Sequence, residues 1–270
     1  MSRSLLQTQF DCDSPVALVT GSGSPRVGRE IARFLAIRHC RIALHANTSL
    51  EEAEQTAADF LSNYGIKPLV TRGALDEDGV AERIVAETQN AFGRLDILVN
   101  SAAIWQPTRL ENVTRDEINR YFQTNAVATF LCARAAGLRM VEQPSGGSIV
   151  NIGDWATVRP YLDHAAYFPS KGAIEAMTRS LAVELGSRNG KVRVNCIQPG
   201  PVLLADNVSE AKRKKIASST LTGQVGTPDS IAHAVGFLCE NAFVTGVCLP
   251  VDGGRSIFAN DGLQVGLNTG

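Results

Sequence analysis

Short apolar segments alternate along this chain with longer segments of helical periodicity. The apolar segments are almost continuous in hydrophobic residues, which is typical of strands buried on both faces. They are Val16–Thr20, Arg41–His45, Pro68–Thr71, Asp96–Asn100, Ser148–Ile152, Arg193–Ile197 and Gly246–Pro250. The predicted helices between them are Val27–Arg38, Leu50–Tyr64, Gly79–Phe92, Arg115–Val141, Ala166–Arg188 and Asp229–Glu240. This alternation predicts a single α/β domain, built as a doubly wound, parallel, seven-stranded sheet with helices on both faces.

The composition excludes several functional classes. With 26 basic and 27 acidic residues among 270, the chain has no net field suited to nucleic acid or an anionic membrane. No apolar run approaches the ~18 residues of a membrane span, and residues 1–14 lack the apolar core of a secretion signal. We therefore expect a cytoplasmic protein that binds a small molecule. The six cysteines are scattered without a C-x-x-C pair, so we expect buried thiols and no metal site.

One long segment departs from the alternation. Residues 200–226 are polar, carry the lysine-rich run Lys212–Lys215, and lie between a Pro-Gly pair and a glycine. Such a segment is expected to form a mobile flap over the ligand crevice, at the carboxyl ends of the strands. The predicted domain spans residues 1–270, with its core at about 15–255 and a tail at 256–270. We expect this tail either to cover a neighbouring subunit's site or to be disordered.

Tyr167 and Lys171 stand four residues apart in a predicted helix, and Asp154 precedes the tyrosine by thirteen residues. Positions i and i+4 share a helix face, so the phenol and the ammonium group can occupy one pocket. The positive charge predicts a lowered tyrosine pKa, which would let the phenol exchange a proton while hydride reaches a neighbouring carbon. A Y-x-x-x-K pair alone is common on helix surfaces, so this interpretation depends on a cofactor site elsewhere in the chain.

A glycine-rich loop between the first strand and the next helix supplies that cofactor site. The segment TGSGSPRVG at residues 20–28 contains the candidate contacts Gly21, Arg26 and Val27. Its glycines allow close approach of the backbone, and the helix that follows offers unpaired N–H groups to a pyrophosphate. The alternative is an ordinary strand-to-helix turn, which the position after the first strand disfavours.

The end of the second strand indicates which dinucleotide binds. NAD sites usually place Asp or Glu there, whereas this chain has Asn47, Thr48 and Ser49. Hydroxyl and amide groups, with Arg26 from the glycine loop nearby, suit a 2′-phosphate instead. The cofactor is therefore predicted to be NADPH rather than NADH. Thr48 and Ser49 can also cap the next helix.

Taken in order, these motifs resemble those of the short-chain dehydrogenase/reductase family. The shared set is the glycine loop, Asn100-Ser101-Ala102, Asn125, Tyr167 with Lys171, Pro199-Gly200 and Val251-Asp252-Gly253-Gly254. The resemblance covers residues 15–255 and implies a Rossmann-type fold, an oxidoreductase activity and a homo-oligomer, either a dimer or a tetramer. It also implies that Asn100–Ala102 supports the adenine and the central sheet. Asn125 would hold a water for proton relay, and Pro199-Gly200 would pass beside the nicotinamide.

Three positions depart from the family's pattern. Arg26 takes the place of a central glycine, in a loop that is one residue longer than usual. Asp154 replaces the usual serine, and Ala74 replaces the usual aspartate after the third strand. The last change leaves the adenine contact to the Leu75 backbone or to Asp76.

The changes at Arg26 and Asp154 occur together in one branch of the family, the pteridine reductases. That branch also has a His-x-x-x-Ser run after the second strand, which His45–Ser49 matches here. An aromatic residue of the branch stacks on the pterin, and Trp105 is in register with it. Stacking of this kind contributes roughly 1–3 kcal/mol. The alternative is that Trp105 packs at a loop or subunit contact.

Asp154 also limits the kinds of substrate bond that this site is expected to reduce. A serine hydroxyl donates a hydrogen bond to a carbonyl that is becoming an alkoxide, whereas an ionised carboxylate repels that charge. Asp154 therefore fits a C=N bond whose nitrogen gains a proton, unless its surroundings keep it protonated or it faces solvent. The resulting hypothesis is an NADPH-dependent reductase of a pterin-like heterocycle. Tyr167 donates the proton, Lys171 binds the nicotinamide ribose, and Trp105 and Asp154 contact the substrate.

Two other hypotheses stay open. The first is a general carbonyl or hydroxyl oxidoreductase of the ketoacyl or sugar type. The second is a regulatory protein that binds NADPH without catalysis. The intact set of Asn125, Tyr167 and Lys171 argues against the second hypothesis, because a protein that only binds cofactor has little need of all three.

Overall fold

Seven parallel strands form one sheet in the computed structural model, which describes residues 3–204 and 207–258. The strands are β1 Val16–Val19, β2 Arg41–Ala46, β3 Leu69–Arg72, β4 Ile97–Asn100, β5 Gly147–Ile152, β6 Val192–Pro199 and β7 Cys248–Val251. Their order across the sheet is β3-β2-β1-β4-β5-β6-β7. The chain starts at the centre and winds outward in both directions, which confirms the predicted doubly wound, Rossmann-type sheet.

Helices connect the strands and cover both faces of the sheet. Within the described residues they are α1 Leu5–Gln9, α2 Val27–Ala36, α3 Leu50–Tyr64, α4 Val80–Phe92, α5 Arg115–Tyr121, α6 Ala128–Val141, α7 Tyr167–Gly186, α8 Glu210–Ala217 and α9 Pro228–Glu240. No helix in these ranges is both long and apolar enough to cross a bilayer.

Alternate residues of the central strand enter two separate apolar layers. In β1, Ala17 and Val19 pack into the layer formed with α2 and α9, whereas Val16 and Leu18 pack into the layer formed with α4, α6 and α7. All four side chains are fully buried. A strand that is apolar at every position can satisfy both layers, so the continuous hydrophobic runs of the sequence correspond to a sheet covered on both faces.

The helices differ from the prediction in three places. The predicted helix Arg115–Val141 is interrupted by a π-helical turn at Phe122–Val127. The short helix α1 was not predicted; a capping box between Ser4 and Gln7 begins it. Helix α8 was not predicted either, and it lies inside residues 200–226, so the predicted flap contains regular structure. Residues 205–206 of that flap, and residues 259–270 of the predicted tail, lie outside the described residues.

The strand order reverses between β1 and β4, and this reversal fixes the position of the ligand crevice. In doubly wound sheets ligands bind beyond the carboxyl ends of the strands at such a switch point. The segments that leave the sheet there are the glycine loop after β1, the turn after β4 and the loop after β5. They carry most of the predicted site residues.

Candidate active site

Asp154, Tyr167 and Lys171 meet at the carboxyl end of β5. Asp154 caps a short 3-10 turn, where its Oδ1 accepts a hydrogen bond from Ala156 N at 2.8 Å. Tyr167 begins α7, and its hydroxyl donates to Asp154 Oδ2 at 2.7 Å. Lys171 lies one turn further along α7, and its Nζ donates to the Ile152 carbonyl oxygen at 2.9 Å. The carboxylate is therefore held as an acceptor through both of its oxygens and is turned toward the phenol.

The electrostatics of this group differ from the sequence prediction. Burial raises the pKa of the Tyr167 phenol well above its ordinary value, and the Asp154 charge and hydrogen bond raise it further. We expected Lys171 to lower this pKa, and that expectation is wrong. The lysine ammonium is bonded to a main-chain oxygen, while a carboxylate contacts the phenol. Burial lowers the pKa of Lys171, and Asp154 opposes that effect. The Tyr167 phenol is therefore protonated and donates its hydrogen bond to Asp154.

Asn125 is buried in the π-helical turn between α5 and α6. Its Oδ1 accepts from Ile104 N at 2.8 Å, and its Nδ2 donates to Ile104 O and to Ser170 Oγ, each at 3.1 Å. Ser170 Oγ donates in turn to Tyr167 O at 2.7 Å. Asn125 therefore joins the loop after β4 to the first turn of α7. Its role in holding a relay water stays a prediction, although π-helical turns are frequent at functional sites.

Trp105 lies beside two side chains that the sequence did not single out, Tyr161 and His164. The indole N–H donates to Tyr161 Oη at 3.3 Å. The indole ring stacks on His164, with centroids 4.8 Å apart and planes at 24°. The His164 ring centroid lies 6.2 Å from that of Tyr167. Trp105 is 52% exposed, so it borders the Tyr167 site with much of its ring open to a ligand.

His164 has one bonded and one free ring nitrogen in this aromatic group. Its Nδ1 lies 2.8 Å from the Leu162 carbonyl oxygen, which can only accept, so Nδ1 carries a proton. Nε2 is buried and has no hydrogen-bond partner among the described residues. The residues between Asp154 and Tyr167 are rich in aromatic side chains, and this composition was the signal that sequence reasoning left unused.

The glycine loop is closed against the turn that follows β4. Gly21 has a φ of +63°, and a Cβ on it would lie 2.7 Å from Ala102 Cα, so both conformation and space require glycine. Thr20 Oγ1 accepts hydrogen bonds from Ser101 N at 3.0 Å and from Ala102 N at 3.1 Å. These bonds bring three of the predicted cofactor contacts together at the start of α2, whose first N–H groups have no partner within the helix.

His45 ties the same loop to the ends of two neighbouring strands. Its Nδ1 accepts from Gly21 N at 3.1 Å, so its Nε2 carries the proton and donates to Gly73 O at 2.9 Å. Its main-chain oxygen accepts from Ser22 N at 3.0 Å and from Gly23 N at 3.2 Å. Burial lowers the pKa of this imidazole and keeps it neutral. The sequence indicated His45 only as part of a resemblance, because its partners depend on the register of β2.

The residues predicted to bind a 2′-phosphate lie around the end of β2. Asn47 and Thr48 are exposed, and Ser49 is half-buried next to the loop, since a Cβ on Gly23 would lie 2.8 Å from Ser49 Oγ. Arg26 is exposed at the start of α2. Within residues 3–204 and 207–258 no carboxylate pairs with it. A guanidinium without an ion-pair partner and free hydroxyl groups are both able to bind a phosphate dianion.

The residues predicted to contact adenine follow β3 and end β4, and those predicted to contact nicotinamide lie at the end of β6. Leu75 is buried, and Asp76 accepts from Thr124 Oγ1 at 2.9 Å. Asn100 supports the central sheet, because its Nδ2 donates to Asn151 Oδ1 at 3.0 Å.

The Pro-Gly segment lies at the other end of the crevice. β6 ends at Pro199, and Gly200 N donates to Val251 O at 3.0 Å. A Cβ on Gly200 would lie 2.5 Å from Asp252 Cα, so this segment must pass close to the end of β7. Whether Pro199 and Gly200 contact nicotinamide stays a prediction.

Comparison with known proteins gives a family match over most of the chain. A family model described as enoyl-(acyl carrier protein) reductase matches residues 25–256. A short-chain type dehydrogenase/reductase of Picea abies is 33% identical over 253 residues, covering 89% of this chain and 92% of that protein. A 3-oxoacyl-[acyl-carrier-protein] reductase of Rattus norvegicus is 32% identical over 237 residues, covering 88% of this chain and 96% of that protein.

A solved structure has the same fold. It is the crystal structure of a putative short-chain alcohol dehydrogenase from Sinorhizobium meliloti 1021. It matches this chain with a TM-score of 0.81 and 28% sequence identity, covering 89% of this chain and 96% of that one.

Proposed function

Because this chain belongs to the short-chain dehydrogenase/reductase family, we propose that it is an NADPH-dependent reductase of the C=N bond in a pterin-like, flat heterocycle. The family makes it an oxidoreductase; the substrate class and the choice of NADPH are the proposal. The observation that carries the proposal is the 2.7 Å hydrogen bond in which Tyr167 donates to Asp154. It makes the residue in the usual serine position an acceptor.

An acceptor at position 154 selects among substrates by their hydrogen-bonding groups. Asp154 already accepts from Ala156 N and from Tyr167 Oη. A carbonyl substrate needs a donor at this position as its oxygen becomes negative, and a carboxylate would oppose that charge. An aminated heterocycle brings N–H donors, and these complement the carboxylate.

The strongly held proton of Tyr167 also fits a nitrogen acceptor. NADPH supplies hydride when it is bound. Addition of hydride to a neutral C=N bond leaves charge on a ring nitrogen, which is a far stronger base than an alkoxide. Tyr167 gives its proton to that nitrogen, and Lys171, one turn along α7, is proposed to bind the nicotinamide ribose. Trp105 provides the exposed indole face on which the heterocycle stacks.

The choice of NADPH is supported by the side chains at the end of β2. Arg26 is exposed and unpaired within the described residues, Thr48 is exposed, and the Ser49 hydroxyl lies near the glycine loop. Together they offer positive charge and donors to a 2′-phosphate. The loop between β2 and α3 has no Asp or Glu to bond a free ribose diol, and such a carboxylate would repel the phosphate.

A second candidate is the reduction of a carbonyl group. It is favoured by the names of relatives, which include the 3-oxoacyl-[acyl-carrier-protein] reductase of Rattus norvegicus and the NADPH-dependent aldehyde reductase 2 of Arabidopsis thaliana. In this candidate Tyr167 protonates an alkoxide, and Asp154 has to be protonated or displaced to avoid repulsion.

One experiment separates these candidates. The purified protein and its Asp154→Ser variant are given NADPH with a dihydropterin, a 3-oxoacyl thioester or an aromatic aldehyde. For a C=N reductase we expect turnover of the dihydropterin, and a loss of about 100-fold or more in the variant. Asp78→Ser, at an exposed carboxylate before α4, serves as a control and keeps full turnover.

The other outcomes of this experiment are equally informative. Turnover of the thioester or the aldehyde that rises in Asp154→Ser would establish carbonyl reduction and overturn the C=N proposal. Tight binding of NADPH without turnover of any substrate would make the chain a regulatory, cofactor-binding protein.

We further propose that the reductase works as a cytoplasmic homo-oligomer, a dimer or tetramer. Its cysteines are free thiols, as a reducing compartment requires. The outer faces of α6 and α7 expose Phe130, Leu138 and Val183 to the extent of 39%, 45% and 71%. Light scattering during gel filtration tests this; a monomer at micromolar concentration would refute it.

A further inference from the structure

Cys196 and Cys248 lie directly opposite each other on neighbouring strands. The register of β6 and β7 pairs Cys196 with Cys248, and β7 is the edge strand of the sheet. Neighbouring strands are about 4.8 Å apart, which falls within the range of Cα separations found in disulfides. Both cysteines are free, and each thiol influences the pKa of the other. The pair can therefore be bridged with little movement of the backbone.

The two thiols differ in exposure and in pKa, as expected when one cysteine attacks an oxidant and the other completes the disulfide. Cys248 is partly exposed at the sheet edge, and Arg179 Nη1 donates to its Sγ at 3.6 Å. The neighbouring Cys196 thiol and the Arg179 charge lower the pKa of Cys248, against the opposing effects of burial and the Glu175 charge. The Cys248 thiol and burial raise the pKa of Cys196, which is fully buried. Cys248 is thus the more nucleophilic thiol, and Cys196 is a protonated neighbour.

The other buried cysteines lack these features. Burial raises the pKa of Cys132 to about 12 and that of Cys239 to about 11. Cys40 is also buried, and burial raises its pKa strongly. Thiols of this kind are inert toward oxidants, because only the thiolate is nucleophilic. They serve as internal controls.

We propose that Cys248 and Cys196 form a reversible redox-modification site whose oxidant is a peroxide. The Cys248 thiolate attacks one peroxide oxygen, which breaks the O–O bond, gives a Cys248 sulfenic acid and releases hydroxide. The Cys196 sulfur then attacks the sulfenic sulfur. The S–S bond forms, the S–O bond breaks, and the departing oxygen leaves as water with the Cys196 proton. One peroxide is reduced for each disulfide formed, and a dithiol reductant restores both thiols.

The pair is connected to the packing behind Asp154. A Cβ placed on Gly153 would lie 2.9 Å from Cys196 Sγ, so the sulfur packs against the residue that precedes Asp154. On the helix above, Glu175 lies one turn before Arg179 and accepts from Thr157 Oγ1 at 2.5 Å. Thr157 Oγ1 also contacts Asp154 O at 2.9 Å.

Oxidation of Cys196 and Cys248 should therefore also change the packing behind Asp154. Drawing the Cys196 sulfur toward β7 removes its contact behind Gly153. We expect the disulfide to lower turnover severalfold and a dithiol to restore it.

Peptide mapping tests the proposal without knowledge of the substrate. The full-length protein is treated with hydrogen peroxide, free thiols are alkylated, and trypsin is added. Cys196 lies in the tryptic peptide 194–212, and Cys248 shares the peptide 216–255 with Cys239. The proposal predicts a cross-linked pair of these peptides, lighter than their sum by two hydrogen atoms. It should disappear on reduction and in Cys248→Ser, and should persist in Cys239→Ser and Cys12→Ser.

Other outcomes overturn the proposal. These are a cross-link that survives in Cys248→Ser, and oxidation of Cys248 to the sulfinic acid while Cys196 stays alkylated.

A second variant tests the role of the Arg179 guanidinium. Arg179→Gln should slow disulfide formation about threefold or more. Arg188→Gln, at an exposed arginine just beyond α7, should leave the rate unchanged. Equal rates in the two variants would remove Arg179 from the site.

Discussion

Replacing Tyr167 with phenylalanine removes one oxygen atom from the proposed proton donor. The ring keeps its packing, because it is 4% exposed and lies against Phe168 and Tyr121, with centroids 5.3 and 5.9 Å away. What is lost is the 2.7 Å hydrogen bond to Asp154 and the transferable proton. Tyr121→Phe is a matched control, because Tyr121 is also 4% exposed and, among the described residues, its hydroxyl bonds only to the main chain of Gln106.

Two free energies are affected, and they differ in size. General acid catalysis typically contributes about 10²–10⁴-fold, so Tyr167→Phe should raise the barrier by about 3–5 kcal/mol. A hydrogen bond to a charged group contributes about 1.5–3 kcal/mol to stability. Asp154 is only half-buried, so water can replace the phenol and the loss of stability should be at the lower end.

The assay follows the near-ultraviolet absorbance of NADPH with a substrate from the panel above. NADPH affinity is measured by fluorescence titration, and the free energy of unfolding by denaturation. For Tyr167→Phe we expect turnover at or below about one hundredth of the parent, with NADPH affinity nearly unchanged. Tyr121→Phe should lose about 1–2 kcal/mol of stability and keep most of its turnover. The assignment would be refuted if Tyr167→Phe kept comparable turnover, or if both variants lost activity equally.

Three further predictions concern the cofactor site and the loop after β4. The buried His45 has a lowered pKa, so below its ordinary value of 6.5 the unfolded chain binds a proton that the folded chain does not. Stability should therefore fall as pH drops below 6.5. His45→Asn, which keeps an acceptor for Gly21 N, should flatten this dependence in denaturation at several pH values. Arg26→Ala should weaken NADPH binding about tenfold without weakening NADH binding, as measured by fluorescence; equal losses would remove Arg26 from the phosphate site. Asn125→Ala leaves the main-chain groups of Ile104 unpaired and should cost about 1–3 kcal/mol of stability. Asn125→Asp keeps the acceptor for Ile104 N but places a second acceptor against Ile104 O, so it should not recover that cost.

The sheet could be predicted because the apolar pattern that identifies each strand lies within the strand's own sequence. The β1 sequence is apolar at every position, and only a strand covered on both faces buries all of it. Helix α8 could not be predicted in the same way. It is mostly polar and buries none of its residues, so it shows no hydrophobic period, only the capping Ser209 before it. The π-helical turn was missed because its sequence continues the helical pattern on both sides, while the wider turn depends on the bonds of Asn125.

The proximity of Tyr167 and Lys171 could be predicted from the sequence, but the direction of the Tyr167 pKa shift could not. The spacing of Tyr167 and Lys171 brings both residues to one end of β5, and the observed contacts agree with that placement. Spacing does not decide which group the flexible lysine side chain reaches, and here its Nζ reaches the Ile152 oxygen. The role of His45 depends on the register between β2 and β3, which no local pattern encodes.

The local backbone positions the Asp154 carboxylate before any substrate arrives. Its Oδ1 is fixed by Ala156 N within the 3-10 turn, and Thr157 Oγ1 contacts its main-chain oxygen. Its Oδ2 is then directed at the Tyr167 hydroxyl. A serine at this position could rotate to donate to a substrate, whereas this carboxylate arrives as a fixed acceptor whose reorientation would cost a hydrogen bond. Under the proposed function, a substrate that approaches Tyr167 presents a donor to Asp154 as well as an acceptor to the phenol. An aminated C=N heterocycle presents both on one edge, and a simple ketone presents only the acceptor.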